Sequence, residues 1–468
     1  MTGTVAVPTW LAVILGLTAI WALFARLLVP GARWFLRRRA NQLIEELNKR
    51  LDLKIPPFTL ARRQVMIDRL VYDPQVIEQV TQYCEQEGVP HAVAMDEVRR
   101  YAREVAPAFN AYFYFRIGSW LSKRIVERLY RVRLGHIDEA TLNAIDPNAS
   151  VVLVMNHRSN VDYVLVTYLV LERVAVSYAV GEWAQVWPLQ QLVRALGAYF
   201  VRRNSGNALY RRVLERYVQI AVAGGAAQAI FPEGGLTRSG ELREPRIGLL
   251  DYMLRDFDPE GPRDIVFVPI SINYDRVLED RTLIAESPDG NERRLGLQAV
   301  RVGSRILFRG IKLKLQKRLY RFGYACANFG TPLSLRAYTE QHGWQPNKES
   351  KAIRIPKVIT LAQKIMTEIG QNIPVLPVAL LASILTEQPD TQFSQSQLES
   401  AVQTRIDALR SANAHVYIPR NDANYFTSVG LRMLTLRRLV THQEDTYQAN
   451  KSQLALLQYY ANSISQLQ

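Results

Sequence analysis

The chain has 468 residues, 48% of them apolar, 22% charged and 9% aromatic, which excludes a disordered or fibrous protein and leaves room for two or three packed units. A formal charge of +15 and an isoelectric point near 9.8 call for an anionic partner, whether nucleic acid, a membrane surface or a phosphorylated substrate. Two distant cysteines, Cys84 and Cys326, and six histidines never spaced three or four apart argue against a disulfide framework and a zinc site.

Residues 5–25, VAVPTWLAVILGLTAIWALFA, run 21 positions without a charge. At about 1.5 Å per residue this is enough to cross a hydrocarbon core roughly 30 Å thick. No basic side chain precedes the run, as a cleaved signal peptide requires, and five arginines follow it: Arg26, Arg33, Arg37, Arg38 and Arg39. The expectation is a single transmembrane anchor over residues 1–30 in the cell membrane, with everything beyond it on the cytoplasmic side. The alternative is a buried core helix.

Residues 31–145 read as a helical N-terminal region. NQLIEELNKRLDL and DPQVIEQVTQYCEQEG have apolar spacings near 3.6, and residues 96–135 form a long amphipathic stretch interrupted at Pro107. From about residue 146 the pattern changes. Short β-rich runs, VVLVM, GAYFV, AQAIF and DIVFVPISINY, alternate with helical ones such as NALYRRVLERYVQIAV, the mark of an α/β layer extending to about residue 338. Residues 339–468 turn helical again. Within them IPVLPVALLASIL, residues 373–385, is too short to span a bilayer and reads as a core helix.

The strand VVLVM ends in NHRSNVDY, residues 156–163. Five residues on a straight helix turn the side chain by about 500°, so His157 and Asp162 cannot meet if both lie within one helix. The spacing therefore predicts His157 on a turn, its imidazole folding back toward Asp162 in the first turn of a helix that begins near Asn160. That is a base held by a carboxylate. On this pair alone, Ser159 as a plain helix N-cap is an equal reading.

Three further segments follow in order: GAYFVRR (197–203), FPEGGLTRSG (231–240) and FVPISINYD (267–275). Together with NHRSNVDY they resemble the four motifs of the glycerophospholipid acyltransferase family. Arg-Ser after the histidine, Tyr after the aspartate, the paired arginines, the flanking RSNVDYVLVTYLV and NALYRRVLERY and the tail block SVGLRMLTLRRLV are similar to its glycerol-3-phosphate acyltransferase branch. The resemblance covers roughly residues 70–440.

It implies an α/β acyltransferase core of mixed sheet with flanking helices between helical N- and C-terminal segments. It implies transfer of an acyl chain from acyl-CoA or acyl carrier protein to the first hydroxyl of glycerol 3-phosphate, with dihydroxyacetone phosphate or lysophosphatidate as the runner-up acceptor. His157 would be the general base and Asp162 its partner, with no cofactor, no metal and no covalent acyl-enzyme. Arg158, Ser159, Gly197, Arg202, Arg203, Glu233, Gly234, Gly235, Thr237, Arg238 and Pro269 are expected at the substrate site. Among these, Arg203 and Arg238 offer cationic forks to a phosphate, Gly234 and Gly235 let backbone amides approach it, and Pro269 shapes a pocket. Simpler roles stand beside these: Arg202 on a solvated face, Glu233 in an ion pair, Pro269 ending a strand.

Relatives often carry arginine where this chain has Leu236, so one expected cation is missing. The stretch 301–321 holds eight Lys or Arg and no acid, suited either to an anionic leaflet or to a solvated face. Membrane lipids are thus expected partners. Nucleic acid is not, since no helix-turn-helix, RNA-recognition or zinc-finger pattern is present. A non-catalytic, membrane-tethered binder is the reading of another class, and retention of the whole His, Asp, Glu and Arg set opposes it.

Overall fold

The computed structural model describes residues 63–110, 113–170, 176–181, 184–185, 189–202, 205–285 and 322–468. The expected membrane span at 5–25, the basic stretch at 301–321 and Arg203 lie outside them. Among the described residues no helix is long and apolar enough to cross a membrane.

Three helices lead in: α1 (Arg63–Val71), α2 (Pro74–Glu87) and α3 (His91–Val105). Helix α2 begins where Asp73 accepts the Gln75 N–H, with Pro74 in the first turn, and ends on Gly88 at φ 67°. These are the sequence signals for a helix start and stop. A π-helical turn, Phe113–Gly118, leads into α4 (Ser119–Leu129).

Strands β1 (Arg131–Leu134), β2 (Ser150–Met155), β3 (Ser177–Gly181), β4 (Tyr199–Val201), β5 (Gln228–Ile230), β6 (Ile265–Tyr274), β7 (Tyr324–Phe329) and β8 (Leu333–Ser334) build one mixed sheet. Its order is β1-β7-β6-β2-β5-β3-β4, with β8 also on β6. β7 and β8 run antiparallel to β6 and every other pairing is parallel. The central strands β2 and β6 are buried along their whole length, which is why they read as continuous rather than alternating apolar runs. Pro269 interrupts β6 without loss of a ladder bond. Its carbonyl accepts the Gly330 N–H, so its ring nitrogen faces the same side, in the gap between β8 and β7.

Helix α5 (Asp162–Val170) follows β2, and α6 (Ala208–Ala223) packs against α2 and α3. Beyond β8 come α7 (Lys351–Gln371), α8 (Pro377–Glu387), α9 (Gln395–Ser411), α10 (Ala423–Leu436) and α11 (Leu454–Ala461). Helix α8 is the expected core helix, buried from Pro377 to Leu385. A single apolar cluster joins Leu153 of β2, Ile272 of β6, Leu381 of α8 and Leu457 of α11, so the C-terminal helices share the core of the sheet.

Two elements depart from the sequence reading. Residues 131–134, taken as the end of an amphipathic helix, form edge strand β1 beside β7. Arg131 and Arg133 lie over the Tyr324 ring and reach the hydroxyls of Tyr425 and Tyr417, so cations and phenols hold this strand in addition to its ladder with β7 and the contact of Val132 with the core. The C-terminal region is also not wholly helical. Strands β9 (Phe393–Ser394), β10 (Val440–Gln443) and β11 (Thr446–Ala449) make a small antiparallel sheet in the order β10-β11-β9. Its hairpin turns on Glu444 and Asp445, both at positive φ, a conformation that sequence normally signals with glycine or asparagine.

Candidate active site

Because β2, β3, β4, β5 and β6 run in the same direction, their carboxyl ends open on one edge of the sheet, where ligands of open α/β folds gather. Four sequence motifs end there. Asn156, the residue after β2, extends the sheet with its side chain: Nδ2 donates to Ile272 O at 2.9 Å and Oδ1 accepts the Ile272 N–H at 2.7 Å. The chain is thereby fixed for the turn that follows.

On that turn His157 Nδ1 lies 3.0 Å from Asp162 Oδ2. The carboxylate is fully buried and surrounded by donors. Oδ2 also accepts the backbone N–H groups of Arg158 (2.7 Å) and Ser159 (3.0 Å), and Oδ1 accepts the Tyr274 hydroxyl (2.6 Å). Such a set matches an ionised carboxylate, which only accepts. With Nδ1–H donated to Asp162, the lone pair of the ring falls on Nε2. The ring itself stacks on Phe231 at 4.1 Å and meets Tyr163 edge-on at 5.6 Å.

Two more carboxylates hold this turn. Glu233 Oε1 accepts the His157 N–H at 2.7 Å and Oε2 accepts the Arg243 N–H at 3.1 Å, which ties the first motif to the third. Burial pushes its pKa up to about 7, against the two backbone hydrogen bonds. Glu279, just past β6, accepts the Ser159 hydroxyl at 2.7 Å and the Asn160 N–H at 3.3 Å. Burial raises it too to about 7, and nearby Asp162 adds to the rise.

His157 lines a cavity of about 290 Å³ whose walls include Tyr163, Phe231, Gly234, Tyr210, Tyr252 and three arginines, Arg202, Arg211 and Arg246. Arg202 is pinned: its guanidinium grips both oxygens of Glu104 at 2.8 and 2.5 Å and lies between the rings of Tyr101 and Tyr210. Arg211 and Arg246 are exposed, and neither side chain has an ion-pair partner among the described residues.

A family profile described as acyltransferase matches residues 136–273, and one described as glycerol-3-phosphate acyltransferase C-terminal region matches residues 308–467. Proteins named glycerol-3-phosphate acyltransferase match along most of the chain. The one from Pseudomonas putida KT2440 is 26% identical over 446 residues, 91% of this chain and 51% of its own. That from Xanthomonas campestris is 27% identical, covering 87% and 46%, and that from Pseudomonas aeruginosa PAO1 28%, covering 80% and 44%. The chain thus carries an acyltransferase domain followed by a glycerol-3-phosphate acyltransferase C-terminal region, and along most of its length it is similar to proteins of that name. It spans about half the length of these curated relatives.

The residues that the acyltransferase motifs single out are not all at the cavity. His157, Arg202 and Gly234 line it. Gly234 sits at φ 64°, and a Cβ there would meet Arg246 Cδ at 2.6 Å, so the glycine makes room for that arginine. Gly235 is buried in the same turn. Ser159 faces Glu279 as described, and its Oγ also accepts the Val161 N–H at 3.2 Å, a cap to the turn that leads into α5. Thr237 binds the loops together, its N–H donating to His157 O and its hydroxyl to Glu241 O. Arg238 is half-buried outside the cavity lining, Pro269 is buried within β6, and Gly197 forms the φ 86° turn before β4. Arg158 points the other way, toward the C-terminal helices. It donates to Gly240 O and lies 4.9 Å over the Tyr459 ring of α11, while its Nε and Nη2 have no partner among the described residues.

The motifs left several contributors unmarked. Asn156 was in view but carries no chemistry that spacing reveals. Tyr274 and Glu279 lie beyond a hundred residues from Asp162 and Ser159, and only the pairing of β6 with β2 brings them there. Arg246 is the third arginine after the Gly-Gly turn, behind Arg238 and Arg243, and nothing in the sequence marks it off from a surface arginine.

Proposed function

We propose that the chain carries a glycerol-3-phosphate 1-O-acyltransferase activity, using acyl-CoA or acyl carrier protein as donor. The observation that carries the reading is the His157–Asp162 pair, 3.0 Å apart, on the wall of a cavity that three arginines also line. In the reaction the sn-1 hydroxyl oxygen attacks the thioester carbonyl carbon. His157 Nε2 takes the hydroxyl proton, Asp162 stabilises the imidazolium, and the proton passes to the thiolate as the C–S bond breaks. The donor is already activated, and Cys326 is buried with its thiol pushed up to about 12 by that burial, so it offers no competing nucleophile. Arg246 and Arg211 supply the positive charge for the acceptor's phosphate, while Arg202, paired with Glu104, shapes the wall beside them.

We propose further that residues 5–25 anchor the protein in the cell membrane with the catalytic region on the cytoplasmic side. An acceptor panel with purified protein and a labelled acyl thioester, followed by positional analysis, tests the first reading. Glycerol 3-phosphate should be acylated at sn-1, ahead of dihydroxyacetone phosphate and lysophosphatidate; preference for lysophosphatidate would refute the branch activity. Protease added outside intact cells should leave the catalytic region uncut.

A further inference from the structure

Residues 113–129, FYFRIGSWLSKRIVERL, carry an inner stripe at four-residue spacing: Tyr114, Gly118, Ser122 and Val126, all buried. Through it α4 packs against α5, the helix that Asp162 begins. The opposite face is not that of a solvated helix. Ile117, Trp120 and Ile125 are 42%, 59% and 37% exposed, and Arg116, Lys123, Arg124 and Arg128 stand exposed among them. The Arg124 guanidinium lies 5.7 Å from the Trp120 ring. None of these four cations has an ion-pair partner among the described residues, and the one acid of the helix, Glu127, is engaged by the Tyr168 hydroxyl.

We propose that this face of α4 rests on an anionic bilayer leaflet, with Trp120 and the isoleucines at headgroup depth and the four cations on lipid phosphates. The chemistry selects this occupant. A tryptophan flanked by branched aliphatic residues suits the headgroup boundary, and unpaired Lys and Arg around it meet a continuous sheet of negative charge. A protein partner would leave exposed lysine at the centre of its contact, where lysine is depleted. These residues are separate in sequence from the basic stretch at 301–321. The contact also places the leaflet beside the helix that carries the catalytic carboxylate; that last point rests on the acyl-transfer reading, but the contact itself does not.

The test uses the full chain with Cys84→Ser, Cys326 being buried, and a nitroxide at Ile117→Cys or Ile125→Cys so that Trp120 is kept. Exposed Ser411→Cys on α9 serves as the water-facing control. In vesicles containing phosphatidylglycerol the α4 labels should become accessible to oxygen and protected from a water-soluble nickel chelate, while the α9 label stays accessible to the chelate. In pure phosphatidylcholine at high salt the protection should weaken. Charge reversal, Lys123→Glu with Arg128→Glu, should remove the dependence on phosphatidylglycerol while circular dichroism and the thermal transition stay unchanged. Labels that remain open to the chelate in anionic vesicles would overturn the proposal. So would labels protected equally in anionic vesicles and in pure phosphatidylcholine at high salt, since residues 1–62 or a second copy would then cover the face. Neither outcome depends on which acceptor the enzyme acylates.

Discussion

The two sides of the cleft are held in opposite ways. On one side, His157 is fixed by Asp162 at its ring, by Glu233 at its backbone N–H and by Thr237 at its carbonyl, all within a buried network that extends to Glu279 and Tyr274. On the other, Arg211 and Arg246 stand exposed, and only Arg202 is locked, by Glu104. A base must sit within a few tenths of an ångström of its proton, so its geometry is set before substrate arrives. A phosphate can instead gather mobile cations around itself, because charge attraction is tolerant of geometry until the forks close.

If the base side is preorganised in this sense, its loss has the largest effect. His157→Ala should lower acyl transfer by roughly 100- to 10,000-fold and Asp162→Asn by somewhat less, as the amide keeps part of the hydrogen-bond set. Both should leave substrate binding near its starting value, which single-turnover and binding measurements separate. A His157→Ala enzyme that kept more than about a tenth of the rate would break the comparison at its first half.

The cation side should respond through the acceptor. Arg246→Ala or Arg211→Ala should lower kcat/KM for glycerol 3-phosphate by roughly 10- to 150-fold, the equivalent of one charge-assisted hydrogen bond of about 1.5 to 3 kcal/mol, with donor affinity little changed. Lysine at either position should restore part of it. Arg202→Ala differs in kind: it strands Glu104, so its thermal transition should fall along with activity. Arg238, outside the cavity lining, should matter less than Arg246. A larger loss at Arg238 than at Arg246 would mean that the loop closes over the acceptor in a different shape.

Local signals made much of this visible before the fold. Helix α2 had its cap and its terminal glycine, the central strands had their continuous apolar runs, and the five-residue spacing placed His157 on a turn facing Asp162. What sequence withheld was long-range. Glu279 meets Ser159 across 120 positions, and Arg158 finds Tyr459 only because α11 docks on the third-motif loop. That docking is tight: Gly240 at φ 92° leaves so little room that a Cβ would lie 1.9 Å from Tyr459 O. Strand β1 was hidden for another reason: RVRL alternates over only four residues, too short to stand out from the amphipathic stretch it ends, and its arginines are held by phenols that lie elsewhere in the chain.

Glu279 tests how far the preorganised side extends. Glu279→Gln keeps the shape and can still accept the Ser159 hydroxyl, so it should cost only about 1 kcal/mol of positioning, near a fivefold fall in kcat with KM for both substrates unchanged. A merely structural role would lower the thermal transition and leave the pH profile of kcat alone. A positioning role should instead shift the acidic limb of that profile, because the charge beside Asp162 and the histidine turn no longer titrates.

The smallest expected effect is on stability, and its sign follows from burial. Glu233, Glu279 and Asp275 all have carboxyl groups raised to about 7 in the fold, each chiefly by loss of solvent. The unfolded chain releases these protons near the ordinary carboxylate range of about 4, so between roughly pH 4.5 and 7 the native state holds more protons than the unfolded one. Their contribution to stability is therefore whole at low pH and is lost as pH rises through about 7. The melting temperature should fall across that window, against whatever the paired carboxylates elsewhere contribute. Glu279→Gln removes one titrating group, so the fall should be shallower in the variant, and the difference between the two proteins should change with pH only below about 7. Parallel curves from pH 5 to pH 8 would show that Glu279 is ionised throughout, in which case Ser159 and Asn160 hold a permanent negative charge near Asp162.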